Sequence, residues 1–414
     1  MNFDQLWADL HPIGRSADSG GYHRFSWTGT DAEARAWFTE AATARGLDTR
    51  TDRNGNLWAW WGSPGPGAVA TGSHLDSVPD GGAFDGPLGV ACALAAVDEL
   101  RSRGFSPARP LAIGVFVEEE GGRFGVPCVG SRLMAGEIDP ERVRGLTDAS
   151  GLTWAEAMAA AGPDPETIGP DPDTLGLFDV FVELHVEQGR ALEDTEHPVG
   201  VAGSLWPHGR WRMDLRGRAD HAGTTRTIDR ADPMVPLAHA VLAARAAAEQ
   251  HNARATVAKA HITPNGTNAI PSLVSAWLDA RAADRKTLEA VVEQVRKATE
   301  RAAHDHGVGL TIDAESFTPL VEFSHDLRDH LAEIVANRMP ETAGPVPILP
   351  TGAGHDAGVM SGHVPTAMLY VRNPTGVSHS PEEWARPEDC RAGMLALADV
   401  LQDLLSRSGR EDFR

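Results

Sequence analysis

The chain has 414 residues, more than one ordinary hydrophobic core accommodates, so we expect two domains. Its 37 basic and 58 acidic residues give a net charge of −21, which argues against a surface for nucleic acid or for an anionic membrane. No run of 18 apolar residues predicts a membrane span, the first ten residues do not resemble a secretory signal, and the three cysteines lack the paired spacing of a thiolate metal site, so we expect a cytoplasmic protein.

The first part of the chain alternates short apolar runs with helical patterns. Three runs have the apolar composition of buried strands: 68–72, 111–117 and 180–184. A helix is predicted from Pro87, a residue that favours the first helical position, towards Leu100. Strands that alternate with helices predict an α/β domain whose sheet is covered on both faces. Residues 145–173, rich in proline and glycine near their end, are predicted to form a surface excursion.

The pattern changes near Trp206. Residues 210–216 alternate strictly, with Trp211, Met213 and Leu215 on one face, which predicts a half-exposed antiparallel strand. A helix, two strands, a helix and a strand are then expected at 232–250, 255–263, 272–282, 285–304 and 309–314. The order β-α-β-β-α-β predicts a ferredoxin-like unit of about a hundred residues.

The α/β pattern then resumes, with a helix predicted at 327–338, a strand at 366–371 and a helix at 387–405. A small α+β domain is therefore predicted to be inserted into a larger α/β domain. We expect the larger domain at 1–207 and 325–414, and the inserted domain at 208–324.

Residues that commonly bind metals gather after the strand predicted at 68–72. His74 and Asp76 stand two residues apart with their side chains on one face, and Asp85 follows on a glycine-rich loop. Imidazole nitrogen and carboxylate oxygen bind zinc, manganese or cobalt, and ligands in open α/β sheets collect at strand ends. Each residue alone could equally be a solvated acid or a histidine satisfied by hydrogen bonds.

Glu118, Glu119 and Glu120 directly follow the strand predicted at 111–117. Three consecutive carboxylates at the end of a buried strand repel one another unless cations hold them, so they favour a functional site over a solvated surface. Their spacing alone does not distinguish the roles of the three.

Two further histidines are candidates. On the strand predicted at 180–184 and its continuation, His185 shares a face with Glu183 and Glu187, which fits a ligand with orienting carboxylates or a small surface ion network. His379 lies on a loop before the last predicted helix and alone indicates little, since the chain has 17 histidines.

Eight motifs occur in a familiar order along the chain: GSHLDS, GGAFDGPLGV, EEEGGRFG, ELHVEQG, ADHAGTT, PNGTNAIPS, GAGHDA and SHSPEE. With them the sequence resembles the amidase/hydantoinase/carbamoylase branch of the di-zinc aminoacylase and glutamate-carboxypeptidase clan. The resemblance covers nearly the whole chain. It implies an α/β two-metal hydrolase domain with a covered central sheet, interrupted by an inserted ferredoxin-like α+β domain that acts as a lid and dimerisation domain.

The resemblance also implies a role for each matched residue. Two divalent metal ions would be bound, zinc or manganese, with cobalt or nickel also compatible. Asp85 would bridge them, His74 and His185 would be terminal ligands, and Glu120 with His379 would complete the second site. The motif implies that Glu119 is the general base, and Asp76 would orient His74.

Four more residues are implied to bind substrate. His221 would stabilise the developing oxyanion, often across a homodimer, while Gln188 and Asn268 would contact the substrate. Arg281 would clamp a substrate carboxylate with two hydrogen bonds. These groups fit a small ureido acid, either an N-carbamoyl-L-amino acid or allantoate, whose hydrolysis releases ammonia and carbon dioxide.

One departure and two alternatives accompany this interpretation. After HAGTT the family usually continues with proline and methionine, whereas Arg226, Thr227 and Ile228 follow here, and Arg226 could contact an anion or merely face solvent. A peptidase or aminoacylase of the same clan would share the metal ligands and Glu119. A non-catalytic relative that binds metabolites would be expected to lack at least one of them.

Overall fold

The computed structural model describes residues 3–338, 343–407 and 413. Its helices, numbered in chain order, are α1 (Phe3–Leu10), α2 (Gly29–Ala44), α3 (Pro87–Ser102), α4 (Val129–Ala135), α5 (Pro140–Arg144), α6 (Trp154–Ala161), α7 (Pro172–Leu175), α8 (Met234–His251), α9 (Arg285–Asp305), α10 (His325–Ala336), α11 (Asp356–Met360) and α12 (Pro387–Ser406). Its strands are β1 (Asp48–Thr51), β2 (Leu57–Trp61), β3 (Ala68–His74), β4 (Leu111–Phe116), β5 (Phe178–Val186), β6 (Val199–Leu205), β7 (His208–Arg216), β8 (Asp220–His221), β9 (Arg254–Thr263), β10 (Ala269–Ile270), β11 (Leu273–Arg281), β12 (Gly309–Thr318), β13 (Val321–Glu322), β14 (Ile348–Thr351) and β15 (Thr366–Val371).

The chain divides into two compact units, which we call the larger unit (residues up to Gly203 and from Glu322) and the smaller unit (Ser204–Val321). The sheet of the larger unit has the order β1-β2-β4-β3-β5-β15-β6-β13, with β14 beside β6, within the described residues. Strands β4, β3, β5 and β15 are parallel. Every residue of β3, β4 and β15 is buried, as expected for central parallel strands, and the predicted strands at 68–72, 111–117, 180–184 and 366–371 are confirmed.

Helices cover both faces of this sheet. On β5, Val182 and Leu184 belong to the hydrophobic core that also contains buried residues of α3 and α12. Glu183 between them points to the opposite face, where its carboxylate accepts the N–H of Ala357 at the start of α11 at 3.0 Å. Helix α3 begins at Pro87, as predicted, and packs very close to β5: a Cβ on Gly89 would lie 2.2 Å from the carbonyl oxygen of Leu184.

The segment at 145–173 is mostly exposed, as predicted for a surface excursion, but one side of it is buried. This segment contains α6, whose Trp154 and Met158 are fully buried, and Ile168 is also buried. Trp154 contacts the rings of Trp27 and Phe124, at centroid distances of 5.6 and 5.0 Å. The large apolar residues of the segment join Trp27, Phe124 and their neighbours in a small core of their own. The prolines and glycines of the segment nevertheless give it the composition of a loop.

The smaller unit has the element order predicted for it. Its four-stranded antiparallel sheet has the order β12-β7-β11-β9, and α8 and α9 supply apolar residues to one core with β7 and β11. Helix α9 buries residues spaced three or four apart, such as Leu288, Val291 and Val295, and Asp284 caps it by accepting the N–H of Thr287 at 2.9 Å. The two-residue strands β8 and β10 form a separate ribbon that was not predicted.

Among the residues that the structure describes, no helix combines the length and the apolar character needed to cross a bilayer.

Candidate active site

The candidate metal ligands of the larger unit lie where its central parallel strands end. His74 is the last residue of β3 and stands in register with Phe116 of β4. The three glutamates follow β4 after one residue, Val117, and His185 is the last residue but one of β5. Carboxyl ends of parallel strands meet at one edge of a sheet, which places ligands from separate parts of the chain side by side.

The His74 side chain is completely buried and surrounded by acids. Its Nδ1 lies 3.1 Å from the carbonyl oxygen of Asp76 and 3.6 Å from the Asp76 carboxylate. Its Nε2 lies 3.6 Å from both Asp85 and Glu119. Gly86, at a φ of 83°, packs against the ring, because a Cβ there would lie 2.4 Å from His74 Cε1. Glycine is therefore needed at position 86 for both the backbone turn and the space that the imidazole occupies.

Asp85 is the most connected of the predicted ligands. Its Oδ1 lies 3.1 Å from His185 Nε2, and its Oδ2 lies 3.5 Å from His379 Nε2. The Oδ2 atom also accepts hydrogen bonds from Gln188 Nε2 at 2.7 Å and from Ser378 Oγ at 3.0 Å. Gln188, predicted to bind substrate, thus lies directly beside the ligand cluster.

The ligand atoms form two groups of three that share Asp85. His74, Asp85 and His185 are one group, and Asp85, Glu120 and His379 are the other. In the second group His379 Nε2 lies 3.3 Å from Glu120 Oε2, and the His379 side chain is half-exposed. The first group is buried throughout.

The structure separates the three consecutive glutamates. Glu118, at a φ of 54°, turns back and accepts the N–H groups of Arg123 and Phe124 at 3.1 and 2.8 Å. Glu119 faces His74, and Glu120 faces His379. The predicted orienting residue also acts here, because the two carboxylate oxygens of Asp76 accept the N–H groups of Glu119 and Glu120 at 3.2 and 3.1 Å.

The electrostatics of this cluster favour positive charge. Burial raises the pKa values of Glu119 and Glu120 well above their usual range, and other carboxylates raise them further although His74 lowers both. Burial lowers the pKa of His74 and of His185, but the surrounding acids raise it more, so both pKa values lie above the usual one. For Asp85, burial raises the pKa, but the histidines bring it well below the usual value. A cation at this place relieves the repulsion between the acids.

The donor set fits divalent ions. The Nδ1 atoms of His74 and His185 lie 3.1 and 2.8 Å from backbone carbonyl oxygens, which only accept, so each Nδ1 carries a proton. The Nε2 atoms of both histidines are buried, and neither has a hydrogen-bond partner among the described residues. A histidine that donates through one nitrogen to a carbonyl and turns the other towards carboxylates has the arrangement of a metal ligand.

The sequence analysis did not select His355, which also reaches this cluster. Its ring centroid lies 4.5 Å from that of His185, and it groups with Glu183 and His185 as a third set of ligand-type atoms. Its buried Nε2 has no hydrogen-bond partner among the described residues. The GAGHDA motif was the signal that could have identified it.

In the smaller unit, the ribbon of β8 and β10 brings two of the predicted substrate residues together. His221 pairs with Ala269, and the N–H of Ala222 donates to the carbonyl of Asn268 at 2.9 Å. The N–H of Gly223 donates to His221 Nδ1 at 3.0 Å. In a neutral imidazole the proton is then on Nε2, which makes that atom a donor. His221 and Asn268 are both exposed.

Arg281 lies at the end of β11, on the face opposite the buried Val274, Ala276, Leu278 and Ala280. Its guanidinium makes two hydrogen bonds to Asp279, at 2.8 and 3.2 Å. Arg226, the residue that departs from the family motif, makes an exposed two-point pair with Asp229 at 2.7 and 3.1 Å.

Comparison with known proteins agrees with this architecture. The sequence model of peptidase family M20/M25/M40 matches residues 70–403. An amidase of the hydantoinase/carbamoylase family from Burkholderia vietnamiensis has a similar structure, with a TM-score of 0.88, 27% identity and 98% of each chain covered. The α/β fold is thus that of known hydrolases of this family.

Three curated relatives carry three related names. An N-carbamoyl-L-amino acid amidohydrolase of Geobacillus stearothermophilus is 35% identical, over 97% of this chain and 98% of its own length. An allantoate amidohydrolase of Escherichia coli K12 is 30% identical, with 93% of each chain covered. A ureidoglycolate hydrolase of Arabidopsis thaliana is 30% identical, over 94% of this chain and 83% of its own length.

Proposed function

We propose that this chain, which belongs to peptidase family M20/M25/M40, hydrolyses the ureido carbon–nitrogen bond of a small carboxylate substrate with two divalent metal ions. It is a hydrolase of carbon–nitrogen bonds other than peptide bonds, as its relatives in the hydantoinase/carbamoylase branch are. The observation that carries the proposal is that two groups of three ligand-type side chains share Asp85. A single carboxylate between two such groups is what a pair of closely spaced ions requires of a bridging ligand.

The residues of the larger unit would divide the work as follows. His74, Asp85 and His185 would hold one ion, and Asp85, Glu120 and His379 would hold the other. The chemistry that such ions would supply is polarisation of the scissile carbonyl and a more acidic water molecule. Glu119 would accept a proton from the attacking water and deliver it to the leaving nitrogen. The position of Glu119 supports this role, because its carboxylate lies 3.6 Å from Nε2 of His74, beside the first group.

Substrate recognition is assigned to Gln188 and to three residues of the smaller unit. Arg281 would bind the substrate carboxylate through two parallel hydrogen bonds. These would replace one or both of the hydrogen bonds that its guanidinium donates to Asp279. Asn268 and Gln188 would contact the ureido end. His221 would donate from Nε2 to the developing oxyanion, and the hydrogen bond from Gly223 to its Nδ1 supports that tautomer.

The proposed substrate is an N-carbamoyl-L-amino acid or allantoate. Each has a ureido group close to a carboxylate, and each reaction releases ammonia and carbon dioxide. The name of a ureidoglycolate hydrolase among the relatives adds a third compound of the same kind. The test is ammonia release, with manganese present, from allantoate, ureidoglycolate, N-carbamoyl-α-amino acids and N-carbamoyl-β-alanine.

A parallel assay that follows newly freed α-amino groups tests a peptidase or aminoacylase activity, the main alternative, because cleavage of a dipeptide or an N-acyl amino acid releases no ammonia. Dipeptides and N-acyl amino acids are included, and faster cleavage of either than of every ureido acid would overturn the proposal. Metal per chain tests the non-catalytic alternative: after loading with zinc or manganese, we expect about two ions, and well under one would favour a metabolite-binding protein.

A homodimer in which His221 acts on substrate bound by a second copy is also part of the proposal. The test is to mix Glu119→Gln and His221→Ala proteins after dissociating each. If His221 acts in trans, mixed dimers regain one complete site and activity rises above that of either variant. Activity that stays at the level of the separate variants, although mixed dimers form, contradicts action in trans. A cytoplasmic location stays a prediction.

A further inference from the structure

Two loops that carry candidate ligands are joined by a buried carboxylate that the proposed function does not use. Glu383 lies four residues after His379 and is only 4% exposed. Its Oε1 accepts the N–H of Phe84 at 2.7 Å and the N–H of Asp85 at 3.0 Å. Glu383, which lies on the same loop as His379, therefore holds the backbone of Asp85, the proposed bridging ligand.

The contact between the two loops leaves no spare space. A Cβ on Gly82 would lie 2.5 Å from Glu383 Cβ and 2.4 Å from its Cδ. The N–H of Glu383 in turn donates to the carbonyl of Ser380 at 3.0 Å, which ties the carboxylate to its own loop. A second link runs in parallel, since Ser378 Oγ donates to Asp85 Oδ2 at 3.0 Å.

We propose that Glu383 is a positioning residue that sets the distance between Asp85 and His379 and thereby holds the second ion. The inference rests on the proposed function, because it assumes that Asp85, Glu120 and His379 bind that ion. His379 needs such support: it lies on a loop at a φ of 56° and is half-exposed. His74 and His185 do not, because both are buried at the ends of sheet strands.

The physical basis is the position of one buried oxygen atom that accepts two adjacent backbone N–H groups. An acceptor held in this way restrains the backbone of both residues. Without Glu383, two buried N–H groups lose their acceptor, and the loop must shift to reach another. A shift of the Asp85 backbone changes the geometry of the second group, while the strand-borne histidines keep theirs.

The experiment is calorimetric titration of metal-free full-length protein with Co²⁺. Glu383→Ala is compared with the wild type, with His379→Ala as a reference for loss of the second ion and with Glu382→Ala as an exposed neighbouring control. We expect Glu383→Ala to weaken the same binding step that His379→Ala removes, by about 10- to 100-fold, and to leave the other step within about threefold. Glu382→Ala should bind as the wild type does.

Conservative and reciprocal variants sharpen the test. Glu383→Gln should retain most of the affinity, because both hydrogen bonds go to one oxygen that an amide also supplies. Gly82→Ala should mimic Glu383→Ala by pushing the carboxylate away, whereas Gly29→Ala adds a methyl group into open space and should change nothing. The double variant Gly82→Ala with Glu383→Ala should be no weaker than the worse single variant.

Three results would overturn the inference: wild-type cobalt binding in Glu383→Ala, equal weakening of both steps, or a Glu383→Gln variant as weak as Glu383→Ala. If Glu383→Ala does not fold, Gly82→Ala carries the test with the same criteria. The proposed function fails separately, if the wild type binds two ions but releases no ammonia from any ureido acid.

Discussion

The candidate residues of the two units differ in how they are held. In the larger unit, His74, Asp85 and His185 are buried, and their ligand atoms lie within 4.8 Å of one another. In the smaller unit, His221 and Asn268 are exposed, and Arg281 is partly exposed. The residues of the larger unit are held by strand ends, backbone hydrogen bonds and packing. In the smaller unit, His221 and Asn268 lie on or beside the ribbon of β8 and β10, and Arg281 lies at the end of β11.

This difference separates chemistry from selection. If these buried residues are the proposed metal ligands and base, they can serve any substrate that brings a carbonyl to them. Exposed donors on a separate unit are free to vary without disturbing the core, and they are suited to choosing a substrate. Substitutions of the buried residues in the larger unit should therefore affect turnover or stability, and those of Asn268 and Arg281 in the smaller unit should affect substrate binding.

The largest effect is expected from Glu119→Gln. Glutamine keeps the shape of the side chain but cannot accept the proton of water, so kcat should fall by about 10⁴-fold. Metal content should remain that of the wild type, because the amide does not replace any proposed ligand. Turnover is measured as ammonia release on the best ureido acid, and metal by elemental analysis of the same sample.

Glu382→Gln is the matched control, since this glutamate is exposed, lies three residues after His379 and belongs to none of the groups of ligand-type side chains found among the described residues. It should retain wild-type kcat. Substantial turnover in Glu119→Gln would transfer the role of base to another residue, and loss of both ions would make Glu119 a ligand.

Much of the buried site could be predicted from sequence, and the reason is local. Each of His74, Glu119 and His185 lies within two residues of the end of an apolar run, which is visible as a strand end, and strand ends of a parallel sheet meet. His379 has no such signal, because it lies on a loop and only its motif indicated it. The proximity of His221 and Asn268 was also hidden, since the ribbon that pairs His221 with Ala269 consists of two-residue strands, which have no periodicity. The buried Trp154 was missed because its segment has the composition of a loop.

The next largest effect is expected from Trp154→Ala, which tests the packing of the small core that contains Trp154 and Phe124. Trp154 belongs to the same small core as Phe124, whose N–H is held by Glu118 in the turn of the three glutamates. We expect Trp154→Ala to lower the free energy of unfolding by about 3–5 kcal/mol, as large aromatic truncations in cores do. Denaturant unfolding followed by circular dichroism measures it.

Trp384→Ala is the control, because that tryptophan is 46% exposed and its loss should cost far less. If the two variants are equally stable, the segment at 145–173 does not support the larger unit, and the contrast between buried and exposed residues weakens.

A smaller effect, confined to binding, is expected from Arg281→Lys in the smaller unit. Lysine keeps the charge but offers no planar pair of donors, so KM for the ureido acid should rise about 10- to 100-fold while kcat stays within about threefold. Arg216→Lys on the same sheet is the control, since its side chain is 64% exposed. A fall in kcat with unchanged KM would show that Arg281 acts on the reaction and not on the substrate carboxylate.

The smallest effect is expected from Arg226→Ala, at the position where the sequence departs from the family motif. Two of the guanidinium nitrogens of Arg226, Nε and Nη2, already donate hydrogen bonds to Asp229, and the arginine side chain is 78% exposed. An exposed ion pair of this kind stabilises a fold by less than about 1 kcal/mol, so stability should hardly change. If Arg226 only closes its own turn, kcat/KM should stay within about twofold for every ureido acid tested. A selective rise in KM for the substrate with the most negative charge would instead make Arg226 a second anion contact. That outcome would place in the smaller unit a determinant of substrate choice that the family motif does not contain.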